Sequence, residues 1–277
     1  MPSHARLSIQ ARLKPLSLRI RTGDQTPAAM VRLSHPHGVV CSYPKSGNTW
    51  LSFLLANLIR PESHIRGSDV QILVPDIHHL KACDIACEKA PRLFKSHEPF
   101  RADYDKVAYL YRDPRDVALS YYHYGRGLGD IGADTSLDDF AAQFTSADPS
   151  QKPIFGNWGE HVGSWFGACE SRENFLPVSY ENLLASPETE LARIAAFLGI
   201  DHNAHSIRNA VQQSTADKMR TLEKNGELHR QKKANSLENL NFVRKARAGS
   251  WREELTPQAA RRIEEAFAPM MEKLGYL

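Results

Sequence analysis

Residues Tyr43 to Leu55 read YPKSGNTWLSFLL. The β-rich run VVCSY, from Val39 to Tyr43, leads into it, and Trp50, Leu51, Leu54, Leu55 and Leu58 then recur at helical spacing. The stretch therefore reads as a tight turn that leaves a strand and enters a helix. Such a turn aims several backbone N–H groups outward, and the helix N-terminus adds about half a positive charge. Ser46 and Gly47 are small enough to let an anion approach the main chain. Lys45, Ser46, Asn48 and Thr49 can add side-chain donors. This is the pattern of a phosphate cradle; the plainer alternative is a turn whose lysine is only solvated. It is not a Walker loop, because the lysine precedes the glycine and the order G-x-x-x-x-G-K-[ST] is absent.

The same alternation continues along the chain. RLFKSH (92–97), KVAYLYR (106–112) and NFLPVSY (174–180) read as buried strands. The second runs into DPRDVALSYYHY, with Asp113 as N-cap and Pro114 at the first helical position. SPETELARIAAFLG reads as a helix capped by Ser186, begun by Pro187 and stopped by Gly199. Strands alternating with helices predict an α/β fold: a single domain over 37–277 with a central parallel sheet flanked by helices on both faces. Residues 1–36 differ. Arg6, Arg12, Lys14, Arg19, Arg21 and Arg32 stand there with Asp24 as the only acid, and Pro2, Pro15 and Pro27 interrupt any helix. This reads as a solvated basic extension; the alternative is weak contact with an anionic membrane surface or an acidic partner.

Composition narrows the function classes. The 277 residues are 42% hydrophobic and 24% charged, as in an ordinary globular protein. A net charge of +3 does not suggest wrapping of nucleic acid, though local anion sites fit it. No apolar run approaches the ~20 residues of a membrane-spanning helix, and the N-terminus lacks the compact apolar core of a secretory signal. Cys41, Cys83, Cys87 and Cys169 have no framework-like spacing, which points to a reducing, cytoplasmic setting.

Two further segments suit anions. Arg112 ends a predicted strand, with Ser120 inside the helix that follows. Far downstream, FVRKARAGSW carries Arg244, Lys245, Arg247, Gly249 and Ser250; by itself it would be a solvated basic run. Three such sites suggest a ligand with phosphates at more than one end.

With these residues in view, the chain resembles the cytosolic-type sulfotransferases that use 3′-phosphoadenosine 5′-phosphosulfate (PAPS). YPKSGNTW is similar to their 5′-phosphosulfate loop, YRDPRDVALSYYHY to their 3′-phosphate motif, and RKARAGSW to their C-terminal Arg-Lys-Gly-x-x-Gly segment. FGNWGEHVGSWF and VSYENLLASP also have counterparts, so the resemblance runs from about Val39 to Trp251 with the motifs in order. It implies a fold like the P-loop nucleotide kinases, PAPS as donor and PAP as product. It also implies that Lys45, Ser46, Gly47, Asn48 and Thr49 hold the 5′-phosphate while Trp50 stacks near the adenine. Arg112 and Ser120, joined by Arg244 and Lys245 and followed by Ala246, would take the 3′-phosphate. Tyr180 matches a tyrosine that contacts the adenine, and Ser214 in STADKM falls where the family has Thr-Ser-Phe. His97 in KSHEP matches the catalytic histidine of the Lys-Thr-His segment, with Lys95 beside it.

The departures are specific. Asn48 stands for a threonine, with an amide able to donate to an anion; Ala216 stands for an aromatic that stacks on adenine; Ala246 stands for a glycine, keeping an N–H but not a glycine-only conformation. The family's dimer motif, Lys-x-x-x-Thr-Val-x-x-x-Glu, is degraded to REELTPQAAR.

The chemistry implied is sulfuryl transfer to a hydroxyl, or to an amine. It needs a base for the acceptor proton and a cation where charge builds on the leaving phosphate. A histidine with a near-neutral pKa suits the first and a lysine the second; His97 and Lys45 take those roles, with Ser120 holding the nucleotide and the resting lysine. The scheme needs no metal. His79, Cys83 and Cys87 recur every four residues, but the ends of that row lie about 12 Å apart along a helix, beyond a zinc ion whose bonds are about 2 Å. GRGLGD from Gly125 reads as a helix terminator, and Tyr121, Tyr122 and Tyr124 divide between core and acceptor pocket. The alternatives are a P-loop-like kinase, disfavoured by the missing Walker lysine and Mg²⁺ carboxylate, and a non-catalytic nucleotide-binding module. The acceptor stays open among small-molecule, lipid and glycan hydroxyls, because the loops 61–89, 125–158 and 225–241 carry no motif.

Overall fold

A parallel sheet in the order β2-β1-β3-β4 organises the chain, seen in a computed structural model that describes residues 37–80, 93–148, 155–228 and 243–277. The strands are β1 (Gly38–Ser42), β2 (Leu93–Ser96), β3 (Lys106–Tyr111) and β4 (Phe175–Ser179), the runs predicted from sequence. The register aligns Val40 with Lys95 on one side and Ala108 on the other, and Leu110 with Val178. The helices are α1 (Asn48–Ile59), α2 (Gly67–Leu73), α3 (Pro114–Gly127), α4 (Leu137–Phe144), α5 (Trp158–Cys169) and α6 (Tyr180–Ala185). After them come α7 (Pro187–Leu198), α8 (Ala204–Gln213), α9 (Ala216–Lys224), α10 (Trp251–Glu254) and α11 (Pro257–Lys273). The basic extension 1–36 lies outside the described residues.

Because side chains alternate along a strand, the central strands feed two cores. Val39, Cys41, Val107 and Tyr109 pack with Trp165, Phe166 and Phe267 from α5 and α11. Val40, Ala108 and Leu110 face the other way, onto Leu51, Leu54 and Leu55 of α1 and Leu191 and Ile194 of α7. The expected helix signals operate locally. Asp113 accepts from the Arg115 N–H ahead of Pro114, Gly199 takes φ 72° past α7, and GRGLGD ends α3 through Gly129 at φ 73°. Ser186 departs from expectation. It holds the N-cap position of α7 without a side-chain cap bond, because it also closes α6, donating its N–H to Asn182. Among the described residues no helix is long and apolar enough to cross a membrane.

The carboxyl ends of the strands decide where function sits. Lys45 follows β1, His97 follows β2, Arg112 follows β3 and Tyr180 follows β4, so all lie on one rim of the sheet. Open parallel sheets bind ligands on that rim.

Candidate nucleotide and transfer site

The turn after β1 is built by backbone conformation. Lys45 at φ 70° and Gly47 at φ 104° both lie in the left-handed region, and the Ser46 N–H donates to the Tyr43 carbonyl at 3.3 Å. Gly47 is the N-cap of α1 and offers no side-chain cap to that helix's first N–H groups. The Ser46 hydroxyl is fully buried and has no hydrogen-bond partner among the described residues. A buried hydroxyl of that kind is the polar atom an anion in the turn would satisfy. Gly47 is also required for space: a Cβ there would lie 2.7 Å from Cδ2 of Tyr180.

Two residues expected to reach the ligand turn inward instead. The Asn48 side-chain amide donates to the Val40 carbonyl at 3.3 Å, the Ser42 hydroxyl at 3.1 Å and the Ser96 carbonyl at 3.2 Å. Its donors knit β1 to β2. Ser214 is wholly buried, its hydroxyl accepting from Asn57 at 3.1 Å and its carbonyl accepting from the Trp50 indole at 2.9 Å. It therefore anchors Trp50, whose ring meets Tyr180 edge-on at 5.8 Å. Thr49 and Trp50 stay half-buried on the first turn of α1.

Arg112 lies across the Tyr180 ring, 4.2 Å from its centroid, and donates to the Arg247 carbonyl at 3.1 Å. Its buried Nε has no partner among the described residues. One face of α3 then receives the C-terminal segment. Asp116, four residues from Arg112, accepts the N–H groups of Gly249 at 2.7 Å and Trp251 at 3.0 Å. Ser120 is one turn further on that face and Tyr124 one turn beyond it. The segment RKARAGSW is thus docked beside Arg112 and Ser120. Ala246 keeps a positive φ, 51°, so the left-handed turn survives the loss of glycine. The segment's cations are paired: Arg244 with Glu254 at 2.5 Å, Lys245 with Glu253 at 3.0 Å and Glu254 at 2.7 Å, and Arg247 with Glu253. Sequence reading missed Asp116, Glu253 and Glu254; only the i,i+4 spacing of Arg112 and Asp116 signalled a pair.

At the sheet rim, Nδ1 of His97 lies 2.8 Å from the Ser42 carbonyl, which can only accept, so Nδ1 carries the proton and Nε2 the lone pair. The His97 carbonyl in turn accepts from Nε2 of buried His161, whose Nδ1 accepts from the Tyr109 hydroxyl at 2.8 Å. Burial, with Lys95 beside it, pushes the His97 pKa down to about 3 against the pull of Asp76. This corrects the near-neutral value expected from sequence: desolvation and a neighbouring ammonium both disfavour the imidazolium. Lys95 is held by Asp76 at 2.9 Å. Burial alone would raise the Asp76 carboxyl, but Lys95, His97 and His78 outweigh it and hold it well below the usual carboxylate range. Lys45 rests over the Tyr124 ring, its Nζ 3.6 Å from the centroid. Burial, then Lys95 and Arg112, pushes its pKa down to about 7.

Tyr121 and Tyr122 are buried in the core, whereas Tyr124 is half-buried under the lysine. Among the described residues no cluster of His, Cys, Asp or Glu could hold a metal ion; Cys83 and Cys87 of the row rejected from sequence lie outside them. REELTPQAAR does local work here: Thr256 caps α11, accepting from the Ala259 N–H, and Pro257 begins that helix.

A strand-turn-helix turn with an unpartnered buried hydroxyl, cations of Arg112 and the C-terminal segment gathered beside α3, and a histidine on the rim of a parallel sheet fit an α/β transferase of nucleotide-borne groups. The model of the sulfotransferase domain matches residues 35–275, and the chain belongs to the sulfotransferase family. It is 27% identical over 269 residues to flavonol 3-sulfotransferase of Flaveria bidentis, covering 87% of this chain and 83% of that protein. To the amine sulfotransferase of Oryctolagus cuniculus it is 26% identical over 250 residues, covering 84% and 79%. Among solved structures, mouse sulfotransferase SULT7A1 complexed with PAP superposes with a TM-score of 0.67 at 25% identity, covering 85% of this chain and 83% of that one.

Proposed function

We propose that the chain moves a sulfuryl group from PAPS to an acceptor hydroxyl by in-line transfer. The observation that carries this reading is the turn after β1: a buried, unpartnered Ser46 hydroxyl between two left-handed residues, with Lys45 above and His97 on the adjacent strand end. The main chain of residues 46–49, with the Ser46 hydroxyl, holds the 5′-phosphate. Trp50 and Tyr180 flank the base, and Arg112, Ser120, Arg244 and Lys245 face the 3′-phosphate. Lys45 leaves the Tyr124 face to stabilise charge on the bridging oxygen. As the acceptor oxygen bonds to sulfur, the bond from sulfur to that bridging oxygen breaks, the acceptor proton passes to Nε2 of His97, and PAP departs. The donor's own negative charge raises the basicity of His97 over its value in the ligand-free protein. Lys95, fixed by Asp76, flanks this transfer. A cytoplasmic setting belongs to the same reading, since buried Cys41 and Cys169 are both free thiols. The test is to incubate the protein with PAPS and a panel of phenolic, steroidal, lipid, sugar and amine acceptors and follow PAP, with ATP as a parallel donor. PAP release that requires an acceptor is expected. ADP release from ATP, or PAP binding with no turnover on any acceptor class, would overturn the assignment.

A further inference from the structure

The carboxylate of Glu254 is held by the two C-terminal cations proposed for the 3′-phosphate. It sits at the end of α10 and is contacted by Arg244 at 2.5 Å, Lys245 at 2.7 Å and His123 at 2.8 Å. His123 projects from α3 one turn past Ser120, on the helix that begins just after Arg112. So the two cations proposed for the 3′-phosphate, with a ring nitrogen from the neighbouring helix, converge on one internal anion. Burial alone would raise that carboxyl, but Lys245, Arg244 and His123 outweigh it and hold it down at about 2, so it is ionised at any working pH. The donors of an ammonium and a guanidinium have a limited set of directions. A carboxylate that occupies them competes directly with an incoming phosphate, and one left nearby repels it.

We infer that Glu254 is a specificity-determining residue for the donor: it occupies the 3′-phosphate site in the nucleotide-free protein and must be displaced when the 3′-phosphate enters. The inference rests on the proposed 3′-phosphate site. Its consequence is a weaker preference for 3′-phosphorylated nucleotides than the number of cations would give. Glu253 differs, since it pairs with Lys245 and Arg247 and lies farther out.

Calorimetry with PAP and with AMP, which lacks the 3′-phosphate, tests this on the full chain. In Glu254→Gln the carboxylate charge is gone while the size is kept. PAP should bind about tenfold tighter, the worth of one charge-assisted contact, and AMP should bind as it does to the wild type. Glu254→Ser, read the same way, guards against misfolding of one variant, and a far-UV spectrum checks both. Unchanged or weaker PAP binding in both variants would overturn the inference, because Glu254 would then only brace Arg244 and Lys245. Equal tightening of PAP and AMP would also overturn it, as a general change of charge. PAP and AMP binding alike in both the wild type and Glu254→Gln removes the 3′-phosphate site itself, and the inference with it. A wild-type preference for PAP that Glu254→Gln leaves unmoved removes the inference alone.

Discussion

In the proposed site, Lys45 would make donor binding a proton-coupled event. In the ligand-free protein its pKa is about 7, driven down by burial first and then by the positive charges of Lys95 and Arg112. A 5′-phosphosulfate or 5′-phosphate in the turn brings negative charge close to Nζ. One unit pair at 4 Å and an effective dielectric near 20 is worth about 4 kcal/mol, enough to carry that pKa from about 7 to about 10. At pH 8 the free protein therefore holds Lys45 roughly nine-tenths neutral, whereas the complex holds it charged. Binding of PAP should take up about 0.9 proton at pH 8 and about 0.1 at pH 6. The phosphates of PAP are almost fully ionised at pH 8, since the second phosphate pKa is about 6, so they contribute little there. The assay is calorimetry in buffers of different ionisation enthalpy, where the slope of observed enthalpy gives the proton count. By linkage, Lys45 should make PAP affinity fall close to tenfold per pH unit above about 8, and its contribution should fade below about 6. Lys45→Arg, charged throughout, should abolish the uptake while keeping a cation. Binding enthalpy independent of buffer at pH 8, or uptake unchanged in Lys45→Arg, would refute the assignment of the proton to this lysine.

Replacing His97 with alanine should cut turnover about 10²- to 10⁴-fold, the usual worth of a positioned base, and leave PAP affinity unchanged by calorimetry; a collapse of affinity would make His97 structural. Because its ligand-free pKa is about 3 and bound donor raises it, the acid limb of the profile should be displaced below the usual histidine range. At saturating PAPS the rate should stay near its plateau from pH 8 to pH 6, and a halving near pH 6.5 would contradict the depressed value. Ala246→Gly should stabilise the protein by about 0.5–1 kcal/mol, since a left-handed alanine costs about 1–2 kcal/mol and glycine's extra backbone entropy returns part of it. A thermal midpoint that does not rise would show that the φ of 51° carries no strain.

The parts legible in the sequence are those set by backbone rules. The four strands are short apolar runs closed by turns, which parallel burial demands, and Pro114, Pro187 and Gly199 mark helix ends because their φ preferences act locally. The shape of the turn after β1 could be read for the same reason, since it rests on backbone conformation and on a glycine whose Cβ, if present, would lie 2.7 Å from Tyr180. What could not be read is where a polar side chain spends its donors. Asn48 and Ser214 sit in the right segments, yet tertiary neighbours claim them: Ser96, 48 residues from Asn48, and Asn57, 157 residues from Ser214. Counter-ions were equally hidden, because Asp76 meets Lys95 only once two separate segments pair in parallel.

These hidden counter-ions change how the site works. Lys45, Lys95 and Arg112 lie near enough for the last two to depress the first, so an unbalanced rim would repel itself. Asp76 neutralises Lys95, Asp116 lies 3.6 Å from Arg112, Glu254 holds Arg244 and Lys245, and Lys45, beside Tyr124, has a pKa near neutrality. Each cation thus has a resting arrangement in the protein. In the proposed site, donor binding would then be an exchange of anions and an uptake of protons, with less gain than the bare sum of phosphate contacts. On the proposed site, product release would gain from the same arrangement: as PAP left, Glu254 would return to its cations and Lys45 could shed its proton. A site lined with unpaired cations would hold the product far more tightly.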